Sequence, residues 1–145
     1  MNYLTYKKSL QRLSETYRSE LFRVMDFWTT KAIDHEFGGY FCALDRGGNV
    51  IDTDKGVWQT GRFAWMLAHL YNNLEKCNEW LQLSKHGIDF LEKHAYDENG
   101  KMYFHMTREG KPVRMRRYAF SESFASIAYA EYAKASGDRT YAEKA

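Results

Sequence analysis

The sequence predicts an all-α fold of stacked helix pairs joined by short β-hairpins, and three observations predict it. Apolar side chains recur at helical spacing in four separate stretches. A single proline, Pro112, leaves long helices uninterrupted. Glycine-rich turn chemistry clusters in two segments, 37–51 and 97–114, each bracketing a short β-prone run.

The first stretch, 3–28, aligns Tyr3, Tyr6, Leu10, Leu13, Tyr17, Leu21, Val24 and Trp28 on one stripe. It reads as a long amphipathic helix whose other faces, with Lys7, Lys8, Arg12, Glu15, Arg18 and Glu20, are solvated. Next, FGGYFCALDRGGNVI predicts a hairpin turning at Gly47-Gly48-Asn49. A second helix, KGVWQTGRFAWMLAHLY, follows over 55–71, with Phe63, Leu67, Leu70 and Leu74 facing the core. A third is predicted from Asn78 to about His94, carrying Cys77, Trp80, Leu81, Ser84, Ile88 and Leu91 on one stripe. DENGKMYFHMTREGKPVR then predicts a second hairpin, with turns at Asn99-Gly100 and Glu109-Gly110. Alternation along these strands lets only one of Tyr40 and Phe41, and one of Tyr103 and Phe104, face a cavity. The fourth helix, 118–135, should stop at Gly137 in a left-handed cap, and Asp138 should cap a last helix over 139–145.

The two hairpins repeat one another. Tyr40-Phe41 and Arg46-x-Gly48 are echoed by Tyr103-Phe104 and Arg108-x-Gly110, and Trp58, Arg62, Trp65 and His69 correspond in spacing to Tyr118, Glu122, Ala125 and Tyr129. Helix pairs repeating in this way bury their apolar stripes only by stacking, as an open solenoid or a closed toroid. Two repeats and a start are few for such an array, so residues 1–145 are expected to be the N-terminal portion of one larger domain.

The 145 residues carry 21 basic and 19 acidic side chains, interleaved along the chain, which implies neither nucleic acid nor a membrane surface as partner. Cys42 and Cys77 are too few for a disulfide framework and lack metal-site spacing, which suits a reducing compartment. No apolar run has membrane-spanning length and the first residues show no secretory signal, so a cytoplasmic location is expected. HExxH, CxxC, EF-hand, Walker and dinucleotide patterns are all absent, so no cofactor is required.

The stretch that carries chemistry lies in the second predicted helix. Trp58, Arg62, Trp65 and His69 fall on one face, where aromatic rings beside a fixed guanidinium suit a sugar: its C–H faces stack on rings and its oxygens take directed hydrogen bonds. The competing interpretation makes the tryptophans ordinary helix-packing residues on which the Arg62 stem lies. Arg108, Lys111, Arg114, Arg116 and Arg117 form the one concentrated basic run, which could receive an anion.

Taken in order, Phe37-Gly38-Gly39-Tyr40-Phe41, Asp45-Arg46-Gly47-Gly48, Lys55-Gly56-Val57-Trp58-Gln59-Thr60-Gly61-Arg62 with Trp65, and Arg117-Tyr118-Ala119-Phe120-Ser121-Glu122 resemble the N-acylglucosamine 2-epimerase family. That family also includes cellobiose 2-epimerases and aldose-ketose isomerases. The resemblance covers nearly the whole chain and implies the N-terminal part of an (α/α)6 barrel with its active site in the central cavity. It implies inversion at C2 of an N-acylated hexosamine, interconverting N-acetylglucosamine and N-acetylmannosamine by deprotonation and reprotonation. The family's motif arginine falls on Arg62, as stabiliser of the anion that develops on the carbonyl oxygen, and its substrate-contacting tyrosine falls on Tyr118. Trp58 and Glu122 are further candidate substrate contacts, Glu122 with the alternative of a structural carboxylate paired to a neighbouring repeat.

The family's acid and base are histidines from a later part of a longer chain. His35, His69, His86, His94 and His105 stand outside the motifs that carry those roles. The isolated 145-residue chain is therefore expected to be inactive. Activation by a nucleotide such as ATP, known for several N-acylglucosamine epimerases, and homo-oligomer formation are compatible with the resemblance. Siblings on the same scaffold, an aldose-ketose isomerase or a cellobiose 2-epimerase, share the arginine and the C2 chemistry. A non-catalytic helical-repeat interaction module is the alternative from another class.

Overall fold

The computed structural model describes residues 3–115 and 119–145. Its elements follow the predicted order: α1 (Tyr3–Lys31), β1 (Ala43–Leu44), β2 (Val50–Asp52), β3 (Lys55–Gly56), α2 (Val57–Asn73), α3 (Asn78–His94), β4 (His105–Met106), β5 (Pro112–Arg114), α4 (Phe120–Ser136) and α5 (Arg139–Lys144). Tyr118, the expected start of the fourth helix, lies outside the described residues.

The second helix starts later than the sequence suggests. Gly56 is extended (φ −80°, ψ 127°), and Lys55 and Gly56 pair with Met106 and His105 as a strand. The Val57 amide donates to the Phe104 carbonyl at 3.1 Å, so the backbone leaves the sheet as the helix begins. The second hairpin thereby becomes a three-stranded sheet, β3-β4-β5, which ties the entry of α2 to the segment that follows α3.

Both hairpins turn in the same way. Asp45 N to Asn49 O and Gly48 N to Asp45 O in the first are matched by Thr107 N to Lys111 O and Gly110 N to Thr107 O in the second. Gly48 (φ 85°) and Gly110 (φ 87°) occupy the left-handed position that closes each turn, which other residues adopt only under strain. The internal repeat is thus present in the backbone as well as in the sequence.

Helix α2 is packed between α3 and α4. Its buried residues include Gly61, Ala64, Leu67 and Ala68, and those of α4 include Ala125 and Ala128, small side chains that let two helix backbones approach. At Gly61 the two backbones come close together: a Cβ there would lie 2.9 Å from the Phe124 backbone. On the other side, Ser84 Oγ of α3 donates to the Ala64 carbonyl at 2.8 Å. Gly137 takes the predicted left-handed cap (φ 77°), and Asp138 accepts from the Thr140 amide at the start of α5.

Among the described residues, α1 joins this core through its C-terminal part, by buried Met25, the Phe22 ring near Trp80 and the Trp28 ring edge-on to Phe63. The apolar stripe before it, Tyr3, Tyr6, Leu10, Leu13 and Tyr17, is exposed along its length.

Candidate active site

A pocket of about 450 Å³ opens where α1, the segment before β1, and α2 meet. Val24 and Trp28 come from α1, Tyr40, Phe41 and Cys42 from the connecting segment, and Trp58, Gln59, Arg62, Phe63 and Met66 from α2. Arg62 is the one charged side chain among the described residues that line it. An apolar hollow with one cationic group at its rim is the arrangement a polar ligand with hydrophobic faces requires.

Trp58 and Arg62 are one helical turn apart and are held by the same neighbour. The Phe124 ring, from α4, lies 5.6 Å from the Trp58 ring and 5.8 Å from the Arg62 guanidinium carbon. The guanidinium is exposed, and this cation-π contact restrains it beside the pocket. Phe124 lies two residues beyond Glu122, where the last family-like motif ends, and its role depends on the α2–α4 packing and has no local signature.

The predicted pocket face of α2 is rotated in the structure. Trp65 and His69 stack on each other at 5.0 Å, with His69 turned to Glu131 of α4, and neither lines the hollow. Phe63, expected in the core, and Met66 take those places. The lining residues Trp58, Gln59, Arg62, Phe63 and Met66 span a sector centred between Arg62 and Phe63, so Trp65 and His69, which head almost as Trp58 does, fall at its edge, where His69 meets Glu131. Tyr40 and Phe41 both reach the pocket, against the alternation rule, because they precede β1 and are not in a regular strand. Tyr40 does so from the core, its hydroxyl donating to the Leu83 carbonyl at 2.6 Å.

Glu122 stands on α4 and accepts from the Met102 amide at 3.0 Å through Oε1. It ties the chain before β4 to the start of α4. Its Oε2 is buried without a partner among the described residues. Tyr118 lies outside the described residues, so its relation to the pocket is an expectation from sequence.

The sequence did not single out a buried charge cluster beneath this site. Lys55 is fully buried and its ammonium donates to Asp34 Oδ2 (2.8 Å), the Gly38 carbonyl (2.6 Å) and the Arg108 carbonyl (2.9 Å). Asp34, also buried, receives the Arg108 guanidinium as a fork, Nε to Oδ2 at 2.9 Å and Nη2 to Oδ1 at 3.0 Å. Burial alone would raise the Asp34 carboxyl, but hydrogen bonds from Arg108, Lys55 and the Phe37 and Glu36 amides outweigh it and hold it well below the usual carboxylate range. Burial lowers the Lys55 ammonium, and Asp34 opposes that shift. Arg108 also meets Glu36, so this member of the basic run is already occupied by carboxylates.

None of the histidines lines the pocket among the described residues. His86 Nε2 stands 3.2 Å from the Asp34 carbonyl and 3.1 Å from that of Gly39; two acceptors mean that this nitrogen carries the proton. Burial pushes the Cys42 thiol up, which disfavours the thiolate needed for a nucleophile. No group of three or more potential metal ligands occurs among the described residues.

The model of the family described as N-acylglucosamine 2-epimerase (GlcNAc 2-epimerase) matches residues 38–145. Human N-acylglucosamine 2-epimerase is 37% identical over 143 residues, which is 96% of this chain and 34% of that protein. Cellobiose 2-epimerase from Ruminococcus albus is 34% identical over 118 residues, 80% of this chain and 30% of that protein. The structure of cellobiose 2-epimerase from Bacillus thermoamylovorans superimposes with a TM-score of 0.83 at 26% identity, covering 92% of this chain and 35% of the other. The chain therefore spans about a third of the length of the curated relatives it matches. With the family model matching residues 38–145, the chain belongs to the N-acylglucosamine 2-epimerase family.

Proposed function

We propose that the protein is a sugar 2-epimerase that inverts C2 of an N-acylated hexosamine, N-acetylglucosamine to N-acetylmannosamine, and that this chain supplies the wall that binds the sugar and stabilises the anion. The observation that carries the proposal is the placement of Arg62 and Trp58 together on a concave pocket, both braced by Phe124. When a base removes the C2 proton of the open-chain sugar, negative charge develops on the carbonyl oxygen. A guanidinium already fixed beside that oxygen stabilises the charge without reorganisation. The tryptophan ring offers an apolar face to the sugar's C–H surface. Tyr118 contributes a further substrate contact, and Glu122 holds the segment before β4 in register with α4.

The acid and base are not among the described pocket residues. They come from histidines on the further length of chain that the relatives possess, so the isolated 145-residue chain is inactive. No cofactor is required, and a nucleotide such as ATP acts as an activator rather than as a reactant. No helix among the described residues is long and apolar enough to cross a membrane. A cytoplasmic location fits this and the free state of Cys42 and Cys77.

The test follows deuterium uptake at C2 and N-acetylmannosamine formation when the intact protein meets N-acetylglucosamine in heavy water. Exchange with product formation supports the proposal. Exchange only with cellobiose or mannose would instead assign the protein to a sibling reaction, and inertness to all three sugars would favour an interaction module. The concave setting of Trp58 and Arg62 speaks against that last reading, which would lay both side chains flat in a helix-helix contact.

A further inference from the structure

We propose that Lys55 is a positioning residue for the sugar pocket and acts through the Phe41 ring; this rests on the pocket being the sugar site. The three protons of its ammonium are all taken, by Asp34, Gly38 and Arg108, so Lys55 has none left for a substrate. Those acceptors belong to three segments: the loop after α1, the glycine turn that leads into Phe41, and the β4–β5 turn. One buried cation thus ties both hairpins to the entry of α2.

Phe41 is where this cluster meets the pocket. Its ring centroid lies 5.7 Å from Lys55 Nζ and 5.3 Å from the Arg108 guanidinium carbon, and the same side chain lines the hollow. The Phe41 amide donates to the Ala32 carbonyl at 2.7 Å, which anchors its backbone to the end of α1. The backbone and the two cations together restrict where the ring stands. A burial of charge this complete does not stabilise a fold better than apolar packing of the same volume. What it adds is direction: hydrogen bonds of fixed length from a tetrahedral ammonium hold the turns at set separations, which apolar contacts do not. A lysine suits three acceptors arranged around a point, whereas the planar fork of arginine does not.

The experiment compares Lys55→Met, Phe41→Leu and the double variant in the intact protein with N-acetylglucosamine as substrate. Lys55→Met leaves Asp34 paired with Arg108, so no buried carboxylate loses its last cation. A wall that binds ground state and transition state alike alters KM rather than kcat, and a KM rise of about tenfold with kcat within about twofold is expected for Lys55→Met. Phe41→Leu should raise KM similarly, and the double variant should be no worse than either single one, because both act through one ring. Should Lys55→Met fail to fold, Arg108→Met removes the outer cation instead and should raise KM in the same direction, again without adding to Phe41→Leu.

A thermal shift with unchanged KM, or KM effects that multiply in the double variant, would overturn the positioning role while leaving the site intact. If Phe41→Leu and Arg62→Lys both leave sugar kinetics unchanged, the pocket is not the sugar site and the positioning role falls with it.

Discussion

Arg62 and Asp34 carry opposite kinds of charge at opposite levels of the molecule. Arg62 sits at an exposed rim, where a charge is cheap to keep and free to meet a ligand, whereas Asp34 is sealed in and neutralised by two cations. Asp34→Asn should therefore be far more damaging to stability than any change at Arg62. It leaves the Lys55 ammonium buried without its carboxylate, at a cost of about 3–5 kcal/mol measurable by denaturant unfolding. The same carboxyl sets a pH dependence. Its folded-state pKa lies below the unfolded value, so its contribution is complete above about pH 4 and is lost as the pH falls toward the folded value. Wild-type stability should decline through that acid window, and the Asp34→Asn protein should show a flatter profile. At this scale Arg62 and Trp58 were legible because one turn of helix relates them. Lys55 was not, because its partners lie 21, 17 and 53 residues away and no local pattern announces them.

Among the elements, the contact of α2 with α4 decides whether the site exists, since Phe124 of one helix braces Trp58 and Arg62 of the other. Gly61 permits that contact, and Gly61→Ala would drive a methyl group into the Phe124 backbone. The expected loss is about 1–3 kcal/mol of stability, with weaker sugar binding in the folded fraction. Unfolding curves of the variant check the first, and sugar titration the second; a neutral or stabilised Gly61→Ala protein would show that the helices are not pressed together there. Helix periods, both hairpin turns and the Gly137 and Asp138 caps were readable because each is encoded within a few residues. The start of α2 and the face it turns to the pocket were not. Both are set by pairing with β4, some fifty residues on, and by the bulk of the helices packed against it.

For the whole molecule, the internal repeat is the organising fact. Two hairpins with the same turn geometry each lead into a helix, and α2 and α4 lie side by side as successive members of one layer. The stacking was legible because neither helix pair can bury its stripe alone; the exposed N-terminal stripe of α1 was not, because periodicity tells which residues share a face and not whether anything covers it. In this chain by itself, Leu10→Ser with Leu13→Ser should change stability by less than about 0.5 kcal/mol, since both side chains are already about half exposed. A clear loss of stability in denaturant would mean that the stripe is packed in solution.

The most direct measurement is C2 deuterium exchange of N-acetylglucosamine by the intact protein, with wild-type and Arg62→Lys compared side by side. Lysine keeps the charge but loses the planar fork, so exchange should fall by about 100-fold or more while thermal stability barely moves. Equal exchange rates in the two proteins would remove Arg62 from the chemistry and contradict the account.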